Sequence, residues 1–292
     1  MFIQQLINGL MLGSTYALIA IGYTLIFGVL NLVHLAHGEV FMIGAFIGLY
    51  AVLFFDVGII SSILIAMVAA AFVGILIELL AIRPIRARKG HMLAPMISTI
   101  GVGIVLQELA TRFFGAEQVG FPSAFGGEPW HFGSITVTPV QLTILAVSIG
   151  LMAALHFFVT RTRVGMAMRA TSESLIISHT LGIRTNRTIL LTFAVASGLG
   201  GAAGVLVGYS FNAISPFMGI DMGIKGLAAM LLGGLGNIYG AALGGLIIGV
   251  AEVMSVGYVS SSYRDAFAFV IIIAVLLFRP EGIFGSRHHV EG

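Results

Sequence analysis

The sequence predicts an all-α fold, a polytopic bundle of about 8–10 transmembrane helices. Of its 292 residues, 58% are apolar and only 9% are charged, whereas about 25% are charged in an ordinary soluble domain. The mean hydropathy is +1.07, and many apolar runs approach the roughly 20 residues that a helix needs to cross the hydrocarbon layer. These runs do not alternate with polar residues as the strands of a membrane barrel do. The whole chain, 1–292, is predicted to form one transmembrane domain.

The individual spans are predicted from the apolar runs. The run near 212–236 contains Pro216, Asp221 and Lys225, which predicts a broken or re-entrant helix. Such a break is tolerated only where protein or a water-filled cavity covers the freed backbone groups. The predicted spans are 4–29, 36–55, 58–82, 94–114, 139–160, 188–211, 217–236, 237–256 and 264–279.

The basic residues predict the orientation of the bundle. They cluster at 83–89, within 161–187 and after the last span, where Arg279 and Arg287 lie. Because Lys and Arg are enriched in cytoplasmic loops, all three regions are predicted to be cytoplasmic. The segment 115–138 carries glutamates and no Lys or Arg, so it is predicted to lie outside. The N-terminus is then outside and the C-terminus cytoplasmic.

An enzymatic role finds no support in the sequence motifs. The chain has no phosphate-binding loop of the G-x-x-x-x-G-K-[ST] type and no H-E-x-x-H zinc helix. It has no cysteine, which excludes thiolate catalysis and Cys-ligated metals. We therefore predict no catalytic residues, no metal and no cofactor. The net charge of +2 is explained by topology and does not indicate a nucleic-acid partner.

Ionisable residues inside the predicted spans are the strongest candidates for function. A charge at bilayer depth costs at least about 2.5–3.5 kcal/mol, so such residues tend to be functional or paired. Two readings stay open for them, a structural polar contact inside the bundle and a role in the pathway or its gating. Glu78 is expected to snorkel or to pair with Arg83, and Arg264 is expected to pair with Asp265 at the rim. The pathway or gating candidates are His37, Glu39, Asp221, Lys225 and Glu252.

The junction between the first two spans, 31–39, is rich in polar groups. His34 and His37 with Glu39 suggest a metal site or a proton relay, but no further ligand follows at metal spacing. The favoured reading is that these groups cap two helix ends, with Gly38 in a permissive turn.

The longest polar stretch, 161–187, is predicted to contain a short helix. Thr171 or Ser172 is predicted to cap it, with Glu173 and Ser174 in its first turn, and Gly182 is placed to end it. Residues 175–177 supply an apolar side. Two readings stay open, an ordinary amphipathic connector and a knob that fits a groove of a partner protein.

Glycine ridges are spaced for close helix packing. They are Gly200–Gly204–Gly208, Gly240–Gly244 and Gly245–Gly249. Packing between helices of one subunit is the favoured reading, and a subunit interface is the alternative.

Four stretches of the chain resemble one transporter family. The chain is similar to the permease subunits of branched-chain amino acid ABC importers, of the LivH-like type, from about residue 28 to 285. It departs from the family at His34, where Asn is usual, and at 178–180, where small residues are usual. The four stretches are Ala36-His-Gly-Glu39 with Met42-Ile-Gly-Ala45; Leu181-Gly-Ile183 with Arg187 and Leu191-Thr-Phe193; 232–240 (LGGLGNIYG) leading to Gly249-Val-Ala-Glu252; and Arg279-Pro-Glu-Gly282.

The resemblance implies a permease subunit in the bacterial inner membrane that carries no energy source of its own. Its implied partners are a homologous permease subunit in a heterodimer, two cytoplasmic ABC ATPases and an extracytoplasmic substrate-binding protein. It also implies that the short helix near 171–182 couples the bundle to an ATPase. The implied coupling residues are Thr171, Glu173, Ser174, His179, Leu181 and Gly182.

The expected cargo is a branched-chain or other hydrophobic amino acid. Relatives of the family also suggest amides or urea-like solutes. A stand-alone channel or secondary carrier would show the same spans and is the alternative outside the ABC class.

Overall fold

The computed structural model describes residues 1–88, 93–122, 128–133 and 135–285. Lys89 and Arg287, part of the predicted basic regions, lie outside these ranges. The described part of the chain is almost entirely helical, with two small antiparallel strand pairs, β1–β4 and β2–β3. The strands are β1 (Val119–Gly120), β2 (Trp130–Phe132), β3 (Ile135–Val137) and β4 (Ala213–Ile214).

The helices follow the predicted apolar runs closely. In the described ranges, seven helical segments are long and apolar enough to cross a membrane, and this confirms the predicted polytopic all-α bundle. The runs 217–236 and 264–279 form shorter helices of 16 and 15 residues. Helix α3 continues through a π-helical turn, Glu78–Ile82, into α4. The helices are α1 (Phe2–Leu30), α2 (His37–Phe55), α3 (Ile59–Ile77), α4 (Arg83–Ala87), α5 (Ala94–Phe114), α6 (Pro139–Arg161), α7 (Arg163–Glu173), α8 (Leu175–Thr180), α9 (Thr185–Phe211), α10 (Met218–Gly233), α11 (Ile238–Tyr258) and α12 (Arg264–Phe278).

One end of the bundle, here called the strand end, gathers the N-terminus, the start of α6 and the strand pairs. The Gln4 side chain exchanges two hydrogen bonds with the main chain of Thr136, at 2.8 and 2.9 Å. The Gln141 amide donates to Asn8 Oδ1 at 3.1 Å, and β1 pairs with β4 just after α9. The N-terminus and the acidic segment 115–138 therefore share an end, as the predicted orientation requires.

The opposite end, here called the basic end, gathers the three basic regions. Arg86 Nη2 donates to Asn186 Oδ1 at 2.9 Å. A hydrogen bond of 2.8 Å links the Tyr239 hydroxyl to the His156 ring. The chain after α12 returns to the end of α10, where Ile283 N donates to the Leu232 carbonyl. The described parts of all three basic regions thus lie on one side of the molecule.

Helices α2 and α10 each begin halfway between the two ends. The chain after α1 turns back into the bundle, where Leu35 N donates to Thr99 Oγ1 and the His34 ring lies 5.3 Å from the Phe193 ring. His37, the first residue of α2, contacts Gly200, near the middle of α9. The first turn of α10 lies against the first turn of α2. From this level α2 runs to the strand end and α10 to the basic end, so the predicted interruption of the 212–236 run is present.

The two halves of the bundle form an inverted repeat. In the first unit, the long helix α1 runs from the strand end to the basic end. Helix α2 begins halfway between the ends and runs to the strand end, and α3 returns to the basic end. Helices α9, α10 and α11 repeat this order in the opposite direction. Contacts repeat as well, because α1 packs on α11 and α10 while α9 packs on α3 and α2. Repeats of this kind are common in transporters, where sites form at the interface between repeats.

Glycines allow the paired helices to touch along their backbones. A Cβ atom on Gly245 of α11 would lie 2.3 Å from the Ala17 main-chain nitrogen of α1. One on Gly204 of α9 would lie 2.3 Å from the Phe41 carbonyl oxygen of α2. Gly244 touches Ala229 of α10 in the same way. The reading of these ridges as packing within one subunit is confirmed at these positions.

Replacement of Gly245 by Val is expected to destabilise the bundle. The new side chain has no room beside the α1 backbone, so the helices must separate, at a cost of about 1–3 kcal/mol or more. Gly150→Val in α6 is the matched control, because nothing lies within 4 Å of its Cβ position. The free energy of unfolding in mixed micelles measures the effect. Equal losses in the two variants would contradict the close contact between α1 and α11.

Candidate functional site

The first turns of α2 and α10 meet at a backbone contact, here called the half-helix junction (37–39 and 218–223). A Cβ atom on Gly38 would lie 2.1 Å from the Gly219 carbonyl oxygen and 2.8 Å from Gly223 Cα. Gly38 lies within a helix and serves close approach, so its predicted place in a turn is wrong. The predicted candidates His37 and Glu39 flank it directly.

Glu39 extends from the first turn of α2 across the first turn of α10. A Cβ atom on Gly219 would lie 2.4 Å from Glu39 Oε2. The glutamate is buried, and its Oε2 accepts no hydrogen bond from any described residue. A carboxylate in this position faces the N-terminal end of α10, where the helix dipole and the free backbone N–H groups are electropositive.

His34 and His37 lie fully buried next to the junction. Their rings are 6.0 Å apart, and no described residue forms a hydrogen bond with a ring nitrogen of either. The His37 ring packs edge-on against Tyr23, at 4.7 Å. Neither ring caps a helix, because no side chain caps the start of α2, whose N-cap residue is Ala36, and the C-cap residue of α1 is Asn31 in a left-handed conformation. The capping prediction is therefore wrong for both histidines, whose rings are buried without hydrogen bonds, whereas Asn31 does cap the end of α1. The described residues hold no group of three or more potential metal ligands.

Glu252 is the centre of a buried ionic cluster that joins four helices. The Tyr16 hydroxyl donates to its Oε2 at 2.9 Å, and Lys225 Nζ lies 3.1 Å from Oε1. Arg264 Nε donates to the same carboxylate. The candidates Lys225 and Glu252 are thus brought together by α10 and α11. Tyr16 was not predicted, because it is 236 residues from Glu252 in sequence and no local pattern links them.

The rim pairing of Arg264 with Asp265 stays a prediction, because the Asp265 side chain lies outside the described part of the structure. Arg264 also has a partner that was not predicted. It reaches inward to Glu252, and its guanidinium lies 5.1 Å from the Phe211 ring centre. A fully buried carboxylate requires compensating charge and hydrogen bonds, so Arg264 turns into the bundle.

Glu78 pairs with Arg83 as predicted, at 3.3 Å, and also with Arg86, at 3.1 Å. The π-helical turn after Ile77 brings residues five positions apart towards one face.

Asp221 lies apart from both groups, in the first turn of α10 on its exposed face. It forms no ion pair or side-chain hydrogen bond with a residue in the described ranges. The structure therefore brings Glu39 to the half-helix junction and Lys225 to Glu252, and it leaves Asp221 on the outside of the bundle.

The polar segment at the basic end folds as two helices, α7 and α8. Thr162 caps α7 by accepting from Gly165 N at 3.0 Å, and Ser174 caps α8 by accepting from Ile177 N at 3.2 Å. The predicted cap at Thr171 or Ser172 is wrong, because both hydroxyls bond back to carbonyls within α7. Glu173 accordingly ends α7. Gly182, with a φ of 85°, follows the end of α8 as predicted.

The apolar side of α8 is exposed at the basic end. Ile176 is 81% exposed and Leu181 75% exposed. Of the predicted coupling residues, Thr171 is buried and Ser174 half-buried, while Glu173, His179, Leu181 and Gly182 are exposed. Thr171 and Ser178 face inward, so they hold the two helices on the bundle. Helix α8 and the residue after it therefore form an exposed apolar ridge at the basic end, made of Ile176, Ile177 and Leu181.

Loss of the Glu252 carboxylate is expected to destabilise the protein strongly. In Glu252→Gln, Lys225 and Arg264 lose the negative charge between them, and removal of one partner of a buried pair costs about 3–5 kcal/mol. Glu117→Gln is the matched control, because Glu117 is exposed at the strand end. The free energy of unfolding in mixed micelles gives the comparison. If the two variants unfold alike, the cluster does not hold the four helices together.

Comparisons with known proteins agree with the geometry. The family described as "Branched-chain amino acid transport system / permease component" matches residues 5–276. The chain is 42% identical to the permease protein LivH of a high-affinity branched-chain amino acid transport system from Salmonella typhimurium, over 99% of this chain and 97% of that one. It is 40% identical to BraD of Pseudomonas aeruginosa with the same coverage.

A more distant similarity links the chain to a second kind of permease. It is 24% identical to the permease protein LivM of Escherichia coli, over 92% of this chain and 67% of that one. No solved structure shows a significant match. With seven helices able to span a membrane and a family match over nearly its whole length, the chain is a multi-pass membrane protein that belongs to the permease component family of branched-chain amino acid transport systems.

Proposed function

We propose that the chain is the membrane-spanning permease subunit of an ATP-driven importer in the bacterial inner membrane, with branched-chain or other hydrophobic amino acids as cargo. The observation that carries this proposal is the 42% identity to LivH over 99% of the chain. That relative belongs to a branched-chain amino acid transport system, and we propose the same substrate class for this chain. The permease forms half of the translocation pathway.

The energy source and the substrate receptor are assigned to separate proteins. The chain has no phosphate-binding loop, so we assign ATP hydrolysis to two cytoplasmic ABC ATPases. An extracytoplasmic binding protein delivers the amino acid. The similarity to both LivH and LivM supports a pair of related permeases, and we propose a heterodimer.

We propose that the basic end faces the cytoplasm and that α7–α8 is the coupling element. The excess of Arg at this end supports the orientation. An exposed apolar ridge formed by Ile176, Ile177 and Leu181 suits a groove on an ATPase. Helix α7 packs against α1, α6 and α9. A push on α7 therefore acts directly on the two long helices that hold α2 and α10.

The pathway is proposed to pass near the half-helix junction. His37 and Glu39 lie at the level where α2 and α10 begin, and sites in repeat-built transporters form where such helices meet. The Lys225–Glu252 pair fixes α10 to α11 in the present state. ATP binding changes the bundle only if the ATPases hold two arrangements of these helices with different free energies.

Substitution of Ile176 by Asp is expected to abolish ATP-driven uptake. A charge in the centre of the apolar ridge opposes docking, because it must be desolvated without a partner. Ile176→Val is the matched control and is expected to retain uptake. Radiolabelled leucine uptake is measured in cells that carry the chain with its partner permease, ATPases and binding protein. Membrane insertion of each variant is checked by extraction and size-exclusion chromatography.

Three results would each contradict one part of the proposal. Normal uptake by an inserted Ile176→Asp variant would remove the coupling assignment. Leucine flux into liposomes that contain this chain alone would favour a stand-alone channel or secondary carrier. Uptake of an amide or urea-like solute in preference to leucine would change the substrate class and leave the coupling assignment intact.

A further inference from the structure

One face of α10 combines exposed apolar residues with an exposed carboxylate. Phe217, Ile220 and Ile224 are each nearly half exposed, and they lie on one side of the helix at spacings of three and four residues. Asp221 lies within this stripe and is exposed as well. The four residues are here called the α10 face.

The α10 face lies near the middle of the bundle, between its two ends. Asp221 is two residues from Gly219 and two from Gly223, and both glycines contact Gly38 in the first turn of α2. That turn in turn contacts Gly200, near the middle of α9. The carboxylate is therefore at the depth of the hydrocarbon layer if this side of the protein faces lipid.

Lipid is a poor occupant for this face. A carboxylate exposed to hydrocarbon at this depth costs about 2.5–3.5 kcal/mol even on the insertion scale. No described side chain offsets that cost through an ion pair or hydrogen bond with Asp221. The exposed face of α3 differs, because Leu64, Val68 and Phe72 present only hydrocarbon groups there. Helix α3 suits lipid, whereas α10 requires a covering with polar groups.

A second copy of this chain is also a poor occupant. In a twofold-symmetric contact, the same patch meets itself. The four residues of the α10 face include no cation and no side-chain hydrogen-bond donor, so a copy of the face supplies no partner for Asp221. A twofold axis beside Asp221 would also bring two carboxylates together, and like charges in contact are destabilising.

We infer that the α10 face is the contact surface for a second, non-identical permease subunit, whose facing helix supplies a cationic or hydrogen-bond-donating side chain to Asp221. The inference rests on the proposed function, because it places the pair of related permeases around α10. It also places the half-helix junction directly behind the subunit interface.

Photocrosslinking from single cysteines tests which molecule covers the face. The chain contains no cysteine, so each introduced thiol is unique in it. Ile220→Cys and Ile224→Cys are labelled with a benzophenone maleimide in the assembled importer in membranes. Val68→Cys and Phe72→Cys on α3 are the matched controls. We expect the α10 positions to yield adducts with the other permease subunit, identified by mass spectrometry, and the α3 positions to yield lipid adducts or none.

Three outcomes would overturn the inference. Lipid adducts alone from Ile220→Cys would show a lipid-facing helix. Adducts with a second copy of this chain would show a homodimer. Rapid labelling of Ile220→Cys in the assembled importer by a charged, membrane-impermeant maleimide would show a water-filled surface. Each result is compared with leucine uptake by the wild-type importer, so that loss of the interface proposal is distinguished from loss of the proposed function.

Charge reversal tests the complementarity of the contact. Asp221→Lys is expected to reduce copurification of the other permease subunit by about tenfold or more, because a like charge then faces the partner's donor. Asp221→Asn keeps the shape and a hydrogen-bonding group and is expected to lose less. Glu117→Lys, an equal change in charge at the exposed strand end, is the matched control. Copurification of an inserted, monodisperse Asp221→Lys variant at the wild-type level would contradict the proposed partner chemistry.

Discussion

The backbone contact between the first turns of α2 and α10 determines how the rest of the bundle is arranged. Each helix begins halfway between the two ends, so its free N–H groups must be covered by protein. Gly38 and Gly219 provide this cover, because without side chains the two turns meet at van der Waals distance. The long helices α1 and α9 then enclose the junction from either side. The inverted repeat is the outcome of building both half-length helices around one contact.

Polar chemistry is concentrated around this contact because the surrounding helices are apolar. Glu39 lies against α10, and the Glu252 cluster ties α10 to α1, α11 and α12. The Glu252 carboxylate thus holds four helices together. In an importer such contacts must be strong in one conformation and exchanged for others in a second conformation. Coupling requires that the bound partner changes the free-energy difference between these two conformations. Helix α10 carries both the junction and the ion pair, so its movement would change both together.

The sequence predicts the spans well and the contacts between them poorly. Runs such as 94–114 and 139–160 match α5 and α6 within one residue, because a span is recorded in its own composition. The composition of α2, by contrast, does not show that this helix begins halfway between the two ends of the bundle. The contact of Arg264 with Glu252, on another helix, was likewise not predicted. Helix caps are also hard to predict when several hydroxyl-bearing residues are close together in sequence. Ser174, not Thr171, caps α8, because α7 ends at Glu173 and α8 begins at Leu175. Family membership was predictable because its motifs span the whole chain.

The central claim, that α2 and α10 meet at their first turns, is tested most directly by a disulfide in the cysteine-free chain. The Glu39→Cys/Gly219→Cys pair removes the carboxylate that would obstruct a Cβ atom at position 219. A bridge between the two thiols requires the first turns of α2 and α10 to lie side by side. Glu39→Cys/Ile224→Cys, whose second thiol lies on the exposed side of α10, is the control. We expect mild oxidation of membranes to close the first pair, seen as a reducible shift in gel mobility, and to leave the second pair open. If the first pair stays reduced while the protein is folded, or if both pairs close equally, the two helices do not meet as described.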